Sequence, residues 1–202
     1  MIIGVLAIQG AYMKHVETLN RLNISSRLIK TCDDLNEING IIFPGGESTT
    51  IGKLLVNFGI DKILKQYILG GMPVFATCAG LILLAKKIKS YNQFSFNILD
   101  IEIERNAYGR QIESFETDLT LKNIGYVRGV FIRAPKITYT NSNINIIGTY
   151  KNSPVLIQQN NILASTFHPE LTENCSIHEY FLTNIVQKFS NNQKKKHNVP
   201  IQ

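Results

Sequence analysis

Cys78, His168 and Glu170 are the residues whose types and surroundings could do chemistry. Cys78 follows Pro73-Val74-Phe75-Ala76-Thr77 and precedes Ala79-Gly80 and the apolar run of residues 81–85. A proline-opened apolar stretch reads as a buried strand, and the run after Gly80 reads as a helix. Cys78 then sits at a sharp strand-to-helix turn, where the helix N-terminus favours the thiolate. About ninety residues on, another strand-like run, 162–167, ends in His168-Pro169-Glu170. His168 supplies a base, and Glu170, two residues later on extended backbone, supplies a carboxylate to orient it. Taken singly, a cysteine in an apolar setting is usually an inert core residue, and a histidine beside proline a satisfied loop residue. Joint placement at the C-terminal ends of two buried strands favours catalysis, because open α/β sheets bind ligands at that edge.

The elements that must position these groups alternate along the first half of the chain. Strand patterns cover 2–9, 25–29 and 41–43, and helical patterns cover 12–22, 49–56 and 61–69, before the strand that leads to Cys78. This order predicts an α/β fold: a mostly parallel, doubly wound sheet with helices on both faces. The second half reads as short strands at 98–103, 117–121, 130–132, 144–150 and 155–159, expected as antiparallel additions to the parallel core. A helix over 177–189 closes a single domain of residues 1–189, and a polar, lysine-containing tail of 190–202 is expected to fray. Pro44-Gly45-Gly46-Glu47-Ser48-Thr49 follows the third strand and opens a helix. Its glycines permit close backbone approach to a ligand, so its amides are candidate oxyanion donors. The Lys-Ser/Thr ending of a phosphate loop is missing.

Composition narrows the class. At 202 residues and 44% hydrophobic content, the chain suits one soluble globular domain. No apolar run reaches the roughly 18 residues of a membrane span, and the apolar N-terminus has no basic segment before it, so a cytoplasmic location is expected. Three cysteines, Cys32, Cys78 and Cys175, form neither a disulfide framework nor a metal-type spacing. The net charge of +6 includes Lys194, Lys195 and Lys196 in the tail. No basic run with interleaved aromatics occurs elsewhere, so neither a nucleic acid nor a membrane is expected as a partner.

Six segments carry a family resemblance. They are Leu6-Ala7-Ile8-Gln9-Gly10-Ala11, Pro44 through Thr50, Thr77-Cys78-Ala79-Gly80-Leu81-Ile82, Arg105-Asn106-Ala107-Tyr108-Gly109-Arg110-Gln111, Phe131-Ile132-Arg133-Ala134-Pro135 and Phe167-His168-Pro169-Glu170-Leu171-Thr172. In order and extent they resemble the glutaminase subunits of pyridoxal 5′-phosphate synthases, within the class I glutamine amidotransferases. The resemblance implies Cys78 as nucleophile, His168 as general base and acid, and Glu170 as the residue that orients His168. It implies Gly46, Glu47, Ser48, Arg105, Ile132 and Arg133 as the lining of a glutamine pocket, with a guanidinium gripping the α-carboxylate. Backbone amides near Gly46 and Ala79 are the expected oxyanion donors, and Gln9-Gly10 the expected docking and gating segment. The implied partner is a separate synthase (lyase) subunit in a large hetero-oligomer, which receives ammonia and builds the vitamin. The implied step needs no metal and no organic cofactor.

The chain departs from the family pattern twice. Ala76 stands where the nucleophile turn usually has glycine, and Tyr108 replaces a more usual phenylalanine. Alternatives are a glutaminase for another acceptor enzyme, against which the 105–111 and 131–135 segments argue, and a non-catalytic scaffold protein, against which the intact triad argues. A cysteine peptidase is disfavoured because its histidine usually lies near the cysteine in sequence.

Overall fold

The computed structural model describes residues 1–105 and 114–197, with side chains described through Gln193. Strands β1 (Ile2–Leu6), β2 (Ser25–Ile29), β3 (Gly40–Phe43) and β4 (Val74–Thr77) alternate with helices α1 (Tyr12–Arg21), α2 (Ser48–Asn57) and α3 (Ile60–Leu69). The short helix α4 (Ala79–Leu84) follows β4 after the single residue Cys78. Strands β5 (Ala85–Ile88), β6 (Leu99–Glu104), β7 (Ser114–Leu121), β8 (Gly125–Ile132), β9 (Lys136–Thr140), β10 (Asn145–Tyr150), β11 (Ser153–Gln159) and β12 (Ile162–Ser165) come next. The chain then passes through a 3-10 turn, Pro169–Leu171, into α5 (Ser176–Tyr180), a π-helical segment, Phe181–Val186, and α6 (Gln187–His197).

The central sheet has seven strands in the order β10-β11-β12-β4-β3-β1-β2. Five of them, β12 to β2, run parallel, and β11 and β10 extend the sheet antiparallel. Every residue of β3, β4 and β12 is buried, as expected for strands covered on both faces. Side chains alternate between two cores. Phe43, Ala76 and Ala164 face one cluster with Ile51, Leu55 and Leu64 of α2 and α3. Ile42, Phe75 and Leu163 face the other, with Leu19 of α1 and with Ile177, Phe181 and Ile185 near the C-terminus.

The expected parallel core is present, and the antiparallel additions divide. Only β10 and β11 join the central sheet, whereas β5-β6-β9 and the β7-β8 hairpin form two smaller sheets. The hairpin packs its alternate residues Leu119, Val127 and Phe131 into the second core, which explains why it lies over the sheet rather than along its edge. Two strands, β5 and β9, were not expected. The β5 segment reads as the end of an apolar helix, but its Lys86 and Lys87 are exposed and Ile88 pairs with Ile103 of β6. The closing helix was expected to stop at residue 189 and instead runs on to His197. No helix among the described residues is long and apolar enough to cross a membrane.

Candidate active site

Cys78 bridges the end of β4 and the start of α4 in a conformation with φ of 46° and ψ of −98°. Non-glycine residues occupy positive φ at a cost of about 1–3 kcal/mol, and such strain clusters at functional turns. Its amide donates to the Ser165 carbonyl of β12 at 2.9 Å, so the neighbouring strand holds the turn. Ala76, by contrast, lies in regular strand at negative φ, with its methyl wholly buried in the first core. The departure from glycine therefore introduces no backbone strain; the strain falls on the cysteine itself.

The β12 strand ends three residues before His168, whose amide donates to the Val130 carbonyl of β8 at 2.8 Å. The next residue, Pro169, opens the 3-10 turn that carries Glu170. His168 Nδ1 and Glu170 Oε1 are 2.8 Å apart, and both residues are almost completely buried. Cys78 is 6% exposed, and its Sγ lies 4.0 Å from the Ile132 carbonyl, at the end of β8. Burial opposes charge on His168. Hydrogen bonds to Cys78 and Glu170, together with the nearby carboxylate charge, overcome that burial and raise its pKa to about 10. Burial likewise opposes charge on Glu170, and its histidine neighbours reverse the effect, holding the carboxyl below its ordinary range.

The glycine turn meets His168 directly. A methyl group on Gly45 would lie 2.7 Å from His168 Nδ1 and closer still to Cε1, so the imidazole packs where only glycine leaves room. Gly10 (φ 105°) approaches the same turn from β1, and a side chain there would overlap the Gly45 carbonyl. The Ala11 amide donates to that carbonyl at 2.9 Å, and Gln9 Oε1 accepts from the Glu47 amide at 2.9 Å. Gln9 and Gly10 are thus joined to the Gly45-Gly46-Glu47 backbone. Ala79 is the first residue of α4, which spans only six residues.

Glu47 has a structural role in its own right. Its carboxylate caps α2, accepting from the amides of Thr49 (3.2 Å) and Thr50 (2.7 Å), and it also meets Arg105 Nη2 at 3.2 Å. Partial burial works against its charge, but hydrogen bonds from the Thr49 and Thr50 hydroxyls, and then from the two amides, prevail and lower its pKa to about 2. Arg105 Nη1 donates to Gln93 Oε1 at 2.7 Å, Ser48 Oγ donates to the same oxygen at 3.2 Å, and the Tyr91 ring centroid lies 4.2 Å from Arg105 Cζ. The sequence reading missed Gln93 and Tyr91, which lie in a segment with no periodic pattern. Arg133 has φ of 44° at the end of β8, beside Ile132. Asn106 through Gln111, including Tyr108, lie outside the described residues.

A doubly wound sheet with a cysteine elbow after β4 and a His-Pro-Glu turn after β12 has the architecture of a class I glutamine amidotransferase. A solved structure of a glutamine amidotransferase superposes with a TM-score of 0.89 at 42% identity, covering 93% of this chain and 100% of the other. A glutamine amidotransferase from Thermotoga maritima, at 11% identity and a TM-score of 0.58 over 98% of this chain and 86% of the other, shares the fold alone. The model of the SNO glutamine amidotransferase family matches residues 5–187, and the chain belongs to that family. Among its relatives, the pyridoxal 5′-phosphate synthase subunit PdxT of Thermotoga maritima is 50% identical over 184 residues, covering 90% of this chain and 98% of the relative. PdxT of Carboxydothermus hydrogenoformans is 48% identical over 187 residues, covering 92% and 98%.

Proposed function

We propose that this chain is the glutaminase subunit of a pyridoxal 5′-phosphate synthase, hydrolysing L-glutamine through a Cys78 glutamyl thioester. The Cys78–His168–Glu170 arrangement at the sheet edge, in a chain half identical to PdxT, carries the reading. The thiolate attacks the carboxamide carbon, and the developing oxyanion is met by backbone amides near Gly46 and Ala79, each worth on the order of 10²–10³ in rate. His168, protonated at neutral pH, gives its Nε2 proton to the departing nitrogen, which leaves as ammonia as the thioester forms. The neutral imidazole then takes a proton from water, and hydroxide attack releases glutamate and restores the thiolate. Glu170 holds Nδ1–H throughout, which fixes the tautomer and orientation of the ring.

The substrate's α-carboxylate is assigned to Arg105 and Arg133, with Gly46, Glu47, Ser48 and Ile132 completing the pocket. Ammonia passes to a separate synthase subunit in a large hetero-oligomer. Gln9-Gly10 is the docking and gating segment, because its contacts with Gly45 and Glu47 connect that surface to the oxyanion loop. The site of action is the cytoplasm, where three free thiols stay reduced. The test is glutamate release from glutamine by wild type and by Cys78→Ala, each with and without the synthase partner. Release that rises with the synthase and is lost in Cys78→Ala supports the reading. Equal release with a different acceptor enzyme would favour a glutaminase of another pathway.

A further inference from the structure

Behind the triad lies a buried polar chain that the mechanism above does not use. His15 of α1, Thr77 at the end of β4 and His178 of α5 are all fully buried. His15 Nδ1 and His178 Nε2 are 2.9 Å apart, His15 Nε2 lies 3.3 Å from Thr77 Oγ1 and 3.6 Å from Glu170 Oε1, and Thr77 Oγ1 lies 3.5 Å from the same oxygen. Glu170 Oε1 is therefore the meeting point of His168, Thr77 and His15, while Oε2 is buried with no partner.

Hydrogen-bond logic fixes the direction of this chain. An ionised carboxylate only accepts, so the Thr77 hydroxyl donates its proton to Glu170 Oε1 and its oxygen accepts from His15 Nε2, which must carry the proton. His15 Nδ1 is then the acceptor, and His178 Nε2–H donates to it. That leaves His178 Nδ1 as a bare lone pair, the one nitrogen of the pair with no partner. An unpaired lone pair is the least costly place to end such a chain, because a stranded buried N–H would be worse. Burial pushes both imidazoles below the ordinary histidine range, so His15 serves as a neutral donor that reaches Glu170 through the Thr77 hydroxyl. Phe75 packs edge-on against both rings, at 6.0 Å from His15 and 5.1 Å from His178, and limits their rotation.

We infer that His15, oriented by His178 and assisted by Thr77, is a positioning residue that fixes the Glu170 carboxylate and through it the catalytic imidazole. The inference rests on the glutaminase reading and adds residues to that same site. The Thr77 hydroxyl, held in turn by His15 Nε2–H, donates to Oε1 from behind and holds the carboxylate plane so that the remaining approach points at His168 Nδ1. Without them a buried carboxylate with one empty oxygen is free to rotate, and the ring that it orients loses its alignment with Cys78.

The test compares wild type, His15→Leu, His15→Gln and Thr77→Val in steady-state glutamine hydrolysis with the synthase partner present, with Cys78→Ala as control. His15→Leu lowers kcat about ten- to a hundredfold while the KM for glutamine stays within about twofold, the pattern of lost alignment rather than lost substrate binding. Glutamine places an amide N–H near the position of imidazole Nε2, so His15→Gln recovers most of kcat. The downfield proton resonance of His168 Nδ1–H persists in His15→Gln and is lost or shifted in His15→Leu. A folded His15→Leu with wild-type kcat overturns the inference, and so does a His15→Gln as impaired as His15→Leu. If His15→Leu fails to fold, Thr77→Val decides, with a lowered kcat expected and an unchanged one overturning the proposal. Wild-type activity that survives in Cys78→Ala would defeat the glutaminase reading itself, whatever the His15 variants do.

Discussion

Gly45→Ala isolates a steric demand that the active site makes on one backbone position. Gly45 is not at positive φ, so alanine costs nothing in backbone conformation there. The added methyl would lie 2.7 Å from His168 Nδ1 and closer to Cε1, whereas ordinary contact begins at 3.4 Å. The imidazole must retreat by more than half an ångström, a shift large against the 2.8 Å contact that holds it to Glu170. Misplacement on the scale of an ångström costs on the order of 10²-fold in rate. Overpacking a filled site costs about 1–3 kcal/mol of stability. Glutamate release under saturating glutamine, with the synthase partner present, measures the first effect, and urea denaturation the second. Retention of full kcat by Gly45→Ala would refute the claim that His168 acts from the position that it occupies against the turn.

Three further outcomes are expected. Stability falls as pH drops below about 6.5, because His15 and His178 are buried neutral while their unfolded counterparts take up protons; each contributes up to about 1.4 kcal/mol per pH unit. His178, lowered to about 3 chiefly by burial and then by His15, keeps this slope down to that pH, and His178→Leu removes its share in thermal melts between pH 6.5 and 4.5. His168 contributes the opposite limb: its raised folded value gives stability that is fully present below about 6.5 and lost as pH rises through about 10. Glu47→Ala removes the cap of α2 and costs about 1 kcal/mol in chemical denaturation. Gln93→Ala loosens Arg105 and Ser48 together, so the KM for glutamine rises several-fold with kcat little changed, as steady-state kinetics would show.

Much of the fold was legible because burial leaves a direct mark on composition. Strands β1, β3, β4 and β12, covered on both faces, read as short apolar runs, and the helices between them carry one-sided periodicity. The hairpin β7-β8 was seen as strands but not as a separate sheet, since alternation specifies a buried face without saying against what. Lys86 and Lys87 after an apolar helix gave no sign of β5, which exists because Ile88 finds Ile103 across a non-local pairing. At the candidate site, Cys78, His168 and Glu170 stood out in the sequence from their positions at strand ends, and the structure brings His168 and Glu170 within 2.8 Å. His15 and His178 did not stand out, because α1 and α5 bring them together from 163 positions apart and each looks like an ordinary helical residue. Glu47 was read for the pocket, and its role as the cap of α2 is local chemistry that the Glu47-Ser48-Thr49-Thr50 order permits.

The central claim is that Cys78 carries the substrate's acyl group. Acid quenching of the enzyme, with its synthase partner, during turnover of labelled glutamine tests this most directly, followed by digestion and mass analysis of the three cysteine peptides. The account predicts a glutamyl adduct on the Cys78 peptide and none on the peptides of Cys32 or Cys175. Steady glutamate production with no adduct on Cys78, or with the adduct on another cysteine, would contradict it.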